Sequence, residues 1–92
     1  MLSEEACRQA AIEALDELPE WVREELGEVA VIVADSHPEG LMGIYDPVGE
    51  LDRIVIFRTA NPSADEVRRT VFHEVGHHLG MDEEQIARLG YG

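Results

Sequence analysis

The sequence has 92 residues, which is enough for one hydrophobic core and too few for two. Hydrophobic residues make up 45% and charged residues 29%, a balance typical of a folded globular protein. Twenty acidic residues against seven basic ones give a formal charge of −13, which argues against nucleic-acid and anionic-membrane partners because both need clustered positive charge. We therefore expect a single domain over residues 1–92 with neither kind of partner.

The N-terminus and the cysteine content indicate the compartment. The first residues, MLSEEACRQA, carry acids where a signal peptide carries bases, and no apolar run reaches the roughly 18 residues of a membrane span. The single cysteine, Cys7, cannot form an intramolecular disulfide, which fits a reducing environment. We expect a cytoplasmic, monomeric protein in which Cys7 faces the core.

Two helices are predicted at the start of the chain. Ser3 has the position of an N-cap before a run with apolar and small side chains at helical spacing, which Pro19 ends. A short helix or turn is expected around residues 20–26, where it would bury Trp21 and Leu26.

Three strands are predicted next. Residues 29–34 (VAVIVA) are apolar and β-branched, as in a strand covered on both faces. Residues 41–45 (LMGIY) predict a short strand ended by Asp46-Pro47, and a turn over residues 48–52 leads into a buried strand at residues 54–57 (IVIF).

A long helix and a short one complete the predicted order. Asn61 before Pro62 is one start signal, and Ser63 with Glu66 three residues later is a capping box. The order of elements predicts an α+β fold (an α/β-type layer), with a small mixed sheet of about three strands packed on helices.

The long helix contains the segment His73-Glu74-Val75-Gly76-His77. Two histidines four residues apart lie one turn apart on the same helix face, so both imidazoles can reach one zinc ion. Glu74 points to one side of that pair, where its carboxylate can take a proton from a metal-held water. The pattern predicts a metal site with His73 and His77 as ligands and Glu74 as general base.

A helical wheel separates this site from the core. One arc is apolar and contains Val67, Val71, Val75 and Leu79. His73 and His77 lie nearly opposite that arc, so we expect them to face a cleft or solvent. Gly76 and Gly80 flank the histidine face and are expected to leave space above it.

Residues 73–83, HEVGHHLGMDE, resemble the active-site helix and turn of the zincin metallopeptidases, with the longer metzincin spacing HExxHxxGxxH. The whole chain is similar to a family of small bacterial minimal zincins. The similarity also covers an ALDELP-like segment at residues 14–19, a GIY-like element at 43–45 and the IVIF strand. The resemblance implies a minimal zincin-like fold, a Zn²⁺ cofactor, and a strand over residues 41–45 that borders the cleft and pairs with an extended peptide.

The resemblance also gives the position of a third ligand, where this chain has Glu83 instead of histidine. A carboxylate can bind zinc, and a turn at Gly80 would bring it back toward the histidines. Asp82 and Glu84 remain alternatives, because all three acids also suit the first turn of the last helix. The two roles are compatible if Asp82 caps the last helix while Glu83 binds the metal.

Two further side chains are expected to support the site or the core. His78 is expected to be buried or to assist the ligands from behind, and Tyr45 is expected to serve in packing.

The leading functional hypothesis is a zinc-dependent peptidase that acts on a peptide or protein substrate. The alternative hypotheses are a zinc-binding protein that recognises a partner without cleaving it, and an acidic decoy for a basic surface.

Overall fold

The computed structural model describes residues 1–48 and 51–90 and has the predicted α+β architecture. Its elements are α1 (Glu4–Glu17), α2 (Glu20–Leu26), β1 (Val29–Ala34), β2 (Gly43–Val48), β3 (Leu51–Phe57), a 3₁₀ turn (Arg58–Ala60), α3 (Ala64–His78) and α4 (Glu83–Gly90). The sheet order is β1-β3-β2, with β1 parallel and β2 antiparallel to β3. No helix within the described residues is long and apolar enough to cross a membrane.

Helix α1 begins where the sequence predicts. The Ser3 Oγ accepts a hydrogen bond from the backbone N–H of Ala6 at 3.1 Å, which satisfies one of the free donors of the first turn. The buried face of α1 carries the small side chains Cys7, Ala10, Ala11 and Ala14. Small side chains permit close packing of α1 against α3, and the predicted burial of Cys7 is confirmed.

The prediction for α2 was half correct. Leu26 is buried, but Trp21 is 55% exposed and Val22 takes the buried position instead. Val22 and Leu26 are four residues apart and therefore share one helix face, whereas Trp21 lies about 100° to the side of Val22.

Strand β1 is covered on one face rather than two. It lies at an edge of the sheet, and its side chains at Val29, Val31 and Val33 pack against the core. Ile32, on the opposite face, is 37% exposed. The helices that pack on the sheet leave this second face open, so a continuously apolar strand does not have two buried faces here.

Strand β2 starts two residues later than predicted and continues through Asp46 and Pro47. Proline is tolerated because β2 is the other edge strand, where an N–H directed away from β3 needs no ladder partner. Strand β3 begins at Leu51, so the turn predicted over residues 48–52 is shorter than expected. Residues 49 and 50 of that predicted turn lie outside the described residues.

Asn61 does not cap α3, because Ser63 does so by accepting the backbone N–H of Glu66 at 3.2 Å. Asn61 is instead fully buried, and its Nδ2 donates to the carbonyl oxygens of Phe57 at 2.8 Å and Met42 at 3.0 Å. Its Oδ1 accepts the hydroxyl of Thr70 in α3 at 2.6 Å. This amide therefore connects the end of β3, the residue before β2 and the middle of α3.

Candidate metal centre

Helix α3 has the two faces that the wheel predicts. Val67, Val71 and Val75 are fully buried, whereas the side chains of His73 and His77 are 39% and 52% exposed. The two imidazole rings lie with their centroids 5.7 Å apart. The predicted outward orientation of the histidines is confirmed.

The chain turns back on itself directly after α3. The backbone N–H of Met81 donates to the carbonyl of Gly76 at 2.9 Å, and that of Gly80 donates to the carbonyl of His77 at 3.0 Å. Gly80 has φ of +79°, a left-handed conformation that glycine adopts without steric cost. This reversal directs α4 back along the histidine-bearing end of α3.

The three acids that follow Gly80 have different partners. Asp82 and Gln85 form a capping box, in which the Asp82 Oδ1 accepts the Gln85 N–H at 2.8 Å and the Gln85 Oε1 accepts the Asp82 N–H at 2.9 Å. Glu84 pairs with Arg88 at 2.7 Å. Glu83 is the acid beside the histidines, and the capping role expected for Asp82 is confirmed.

Glu83 contacts both histidines. Its Oε2 lies 2.7 Å from Nε2 of His73, and its Oε1 lies 3.3 Å from Nε2 of His77. One ligand atom from each of the three side chains falls within 4.8 Å of the other two. Donor atoms around a tetrahedral zinc are about 3.3 Å apart, given bond lengths near 2.0 to 2.2 Å, so small side-chain rotations would fit the ion. Two imidazoles and one carboxylate are the protein ligands of many catalytic zinc sites and leave a fourth position for water.

Gly76 has a different role from the one predicted. A Cβ built on it would lie 2.3 Å from Cγ1 of Ile86, which is 2% exposed and belongs to α4. The missing side chain makes room for α4 and not for a substrate above the histidines. Close packing at Gly76 therefore contributes to the position of Glu83.

The side chain of Glu74 extends from α3 toward the outer edge of β2. Its carboxylate lies close enough to the Tyr45 backbone for that backbone to lower its pKa, and Cγ of Glu74 would be 3.4 Å from a Cβ built on Gly43. Burial raises the pKa of Glu74, and the nearby His77, His73 and Tyr45 N–H oppose this rise. The Glu74 carboxylate is therefore near His73 and His77, and it is not part of the group that these histidines form with Glu83.

A second polar group, not predicted from the sequence, lies beside this edge. The Tyr45 hydroxyl donates to Oδ2 of Asp52 at 2.5 Å, and the His78 ring stacks on Tyr45 with centroids 4.0 Å apart. Nε2 of His78 lies 4.0 Å from the same Asp52 oxygen. Burial, followed by the hydrogen bond and the charge of Asp52, raises the pKa of Tyr45. These contacts depend on how β2 pairs with β3, and a local sequence pattern does not give that register.

Comparison with known proteins agrees with this geometry. A search of curated proteins finds no match to the chain. The sequence model of a family described as zincin-like metallopeptidase matches residues 45–92, which run from β2 through the histidine helix to the end of the chain. This is just over half of the 92 residues and includes His73, Glu74, His77 and Glu83. The chain belongs to the zincin-like metallopeptidase family.

Proposed function

We propose that this protein is a zinc-dependent peptidase in which His73, His77 and Glu83 hold the metal and Glu74 is the general base. The observation that carries the proposal is the position of Glu74, which lines the same cavity as His73 and His77 but is not part of the His-His-Glu group. A metal site with only a structural role usually has four protein ligands and does not need such a carboxylate.

The proposed reaction is hydrolysis of a peptide bond. Zinc, when bound, would polarise the scissile carbonyl and acidify the attacking water. The Glu74 carboxylate accepts one proton of that water as the water oxygen bonds to the carbonyl carbon. Glu74 then delivers the proton to the leaving nitrogen as the C–N bond breaks, so the products are an amine and a carboxylic acid, which loses its remaining proton to solvent at neutral pH.

The sheet edge supports a peptide as the substrate. Strand β2 pairs with β3 on one side and has no strand partner on its other side within residues 1–48 and 51–90. That outer side borders Glu74 and His77, together with Leu41, Gly43 and Tyr45, around a cavity of about 430 Å³. An extended peptide can add to a free strand edge through main-chain hydrogen bonds, which would place its backbone beside the metal ligands.

The exposure of the donor side chains favours a second candidate function. The side chains of His73, His77 and Glu83 are 39%, 52% and 68% exposed, so the described residues form only a shallow site. Efficient hydrolysis benefits from exclusion of water, which a shallow site does not provide by itself. The second candidate is a zinc-binding protein that recognises a partner without cleaving it.

Replacing the proposed base tests the mechanism. Glu74→Gln keeps the size of the side chain but cannot accept the proton, so peptide hydrolysis is expected to fall by about 100-fold or more while zinc stays bound. The measurement is cleavage of a peptide library by the zinc-loaded protein, with zinc content determined on the same samples.

Glu84→Gln is the matched control, because this acid lies on the surface of α4 and pairs with Arg88. Wild-type rates in Glu74→Gln would contradict the assignment of the base. Absence of zinc-dependent cleavage by the wild type would favour the partner-binding candidate.

A further inference from the structure

A cavity of about 270 Å³ adjoins the metal centre between the start of β2 and α3. Leu41 and Met42 form one wall, and the face of α3 from Arg69 to His77 forms the other. Because His73, Glu74 and His77 also line it, a group in this cavity would lie next to the proposed reaction centre. Its volume is just below that of typical pockets for drug-sized ligands, so it suits one large side chain.

The wall formed by Leu41 and Met42 is apolar and open to solvent. These two side chains are 40% and 41% exposed although both are aliphatic. Covering them with an apolar side chain of a bound peptide would remove that surface from water, which favours binding. Tyr45 and His78 line the adjoining cavity of about 430 Å³, so the two cavities beside the metal centre are chemically different.

Backbone contacts hold this wall in place. The Met42 carbonyl accepts hydrogen bonds from the N–H of Phe57 and from Nδ2 of Asn61, both at 3.0 Å. Asn61 is fully buried and its Oδ1 accepts the Thr70 hydroxyl, which fixes the same segment against α3. The backbone that carries the Leu41 and Met42 side chains is therefore held at the cavity by hydrogen bonds in which neither side chain takes part. Truncating either side chain removes apolar surface without removing these hydrogen bonds.

We infer that this cavity binds a large apolar side chain of the peptide substrate, within about two residues of the scissile bond, and that Leu41 and Met42 determine this specificity. The inference rests on the proposed peptidase function, because it names the substrate class of the same site. Specificity of this kind comes from differences in apolar contact, which are worth roughly 10-fold to 200-fold for small changes in side-chain size.

Binding of small hydroxamates to the zinc-loaded protein tests the inference without requiring turnover. Leucine hydroxamate and glycine hydroxamate carry the same metal-binding group and differ by an isobutyl group. Calorimetric titration is expected to show leucine hydroxamate binding about 10-fold or more tightly. Leu41→Ala and Met42→Ala should each reduce this preference by about threefold or more and leave zinc stoichiometry unchanged.

Ile12→Ala is the matched control, because Ile12 is an aliphatic residue of α1 with 38% exposure that does not line this cavity. The control should keep the wild-type preference. Equal affinities for the two hydroxamates, or an unchanged preference in Leu41→Ala and Met42→Ala, would overturn the inference. A leucine preference in a protein that cleaves no peptide would support the cavity and contradict the peptidase proposal. A protein that binds no zinc would overturn both.

Discussion

Glu83 differs from the acids on either side of it, because each of those two acids has another partner in α4. Asp82 is committed to the capping box with Gln85, and Glu84 is committed to Arg88, which leaves Glu83 beside His73 and His77. The spacing of acids in the sequence cannot distinguish these roles, because all three suit the first turn of a helix. The distinction comes from the direction in which α4 leaves the turn at Gly80.

Loss of Glu83 should therefore weaken zinc binding, whereas loss of Glu84 should not. We expect Glu83→Ala to lower zinc affinity by about 100-fold or more, since even residues behind the ligands contribute 10-fold to 100-fold. Glu84→Ala serves as the control on the same helix. Competition with a chelator of known affinity measures both variants, and equal affinities for the two would refute Glu83 as a ligand.

Tyr45 gives a prediction about alkaline stability. Its pKa is raised in the folded protein above the ordinary value of 10.0, first by burial and then by Asp52. Above pH 10 the unfolded chain loses the phenol proton while the folded protein retains it, so the free energy of unfolding falls as pH rises. Below pH 10 the contribution is fully present.

Tyr45→Phe removes this titration but keeps most of the ring that stacks on His78. Between pH 9 and pH 11, the free energy of unfolding should therefore fall more in the wild type than in Tyr45→Phe. Urea unfolding at the two pH values measures the difference. A parallel decrease in the two proteins would show that the Tyr45 hydroxyl has no special environment.

Residue patterns indicate the centre of the proposed site better than its surroundings. The i, i+4 spacing of His73 and His77 with Glu74 between them is a local signal, and helix geometry alone places the two histidines on one face. The bonds that Asn61 makes to Met42 and Thr70 join residues 19 and 9 positions apart. The Tyr45–Asp52 bond depends on the register of β2 and β3, so no local pattern indicates it.

At the scale of elements, the predictions identified the helices and strands but misplaced several strand ends. The Asp46-Pro47 pair predicts the end of β2 because proline usually breaks a strand, yet an edge strand accepts it. The run VAVIVA predicts two buried faces because it has no polar alternation, whereas β1 has one face open. Which strand lies at an edge depends on the order of the sheet, and that order is a long-range property.

The contact between α3 and α4 connects the fold to the proposed metal ligands. Gly76 touches Ile86, and Ile86 is three residues from Glu83 on α4. Gly76→Ala would place a Cβ 2.3 Å from Ile86 Cγ1, which forces α4 away from α3. We expect this variant to remain helical and to bind zinc about 10-fold or more weakly, because a ligand displaced by about 1 Å loses its geometry.

A second substitution tests whether this effect passes through Ile86. Combining Gly76→Ala with Ile86→Ala removes the clashing atoms and should restore part of the lost zinc affinity, even though the core loses an apolar side chain. Circular dichroism and chelator competition on the single and double variants measure fold and affinity. A double variant that binds zinc no better than Gly76→Ala would mean that the α3–α4 contact does not position Glu83.

In the whole molecule, α3 separates the core from the proposed site. Its buried face joins α1 and the sheet through Val67, Val71 and Val75, while its exposed face presents His73 and His77. The formal charge of −13 favours the approach of cations in general but does not select a binding position. In the proposed site, selection of zinc would therefore depend on the three converging side chains and not on the total charge.

The central claim is that one zinc ion is held by His73, His77 and Glu83 beside Glu74, and a crystal structure of the zinc-loaded protein tests it most directly. Anomalous scattering at the zinc edge should place one ion about 2.0 to 2.2 Å from two imidazole nitrogens and a Glu83 oxygen, with a solvent oxygen in the fourth position near Glu74. An ion bound elsewhere, or one enclosed by four protein ligands that include Glu74, would contradict the account.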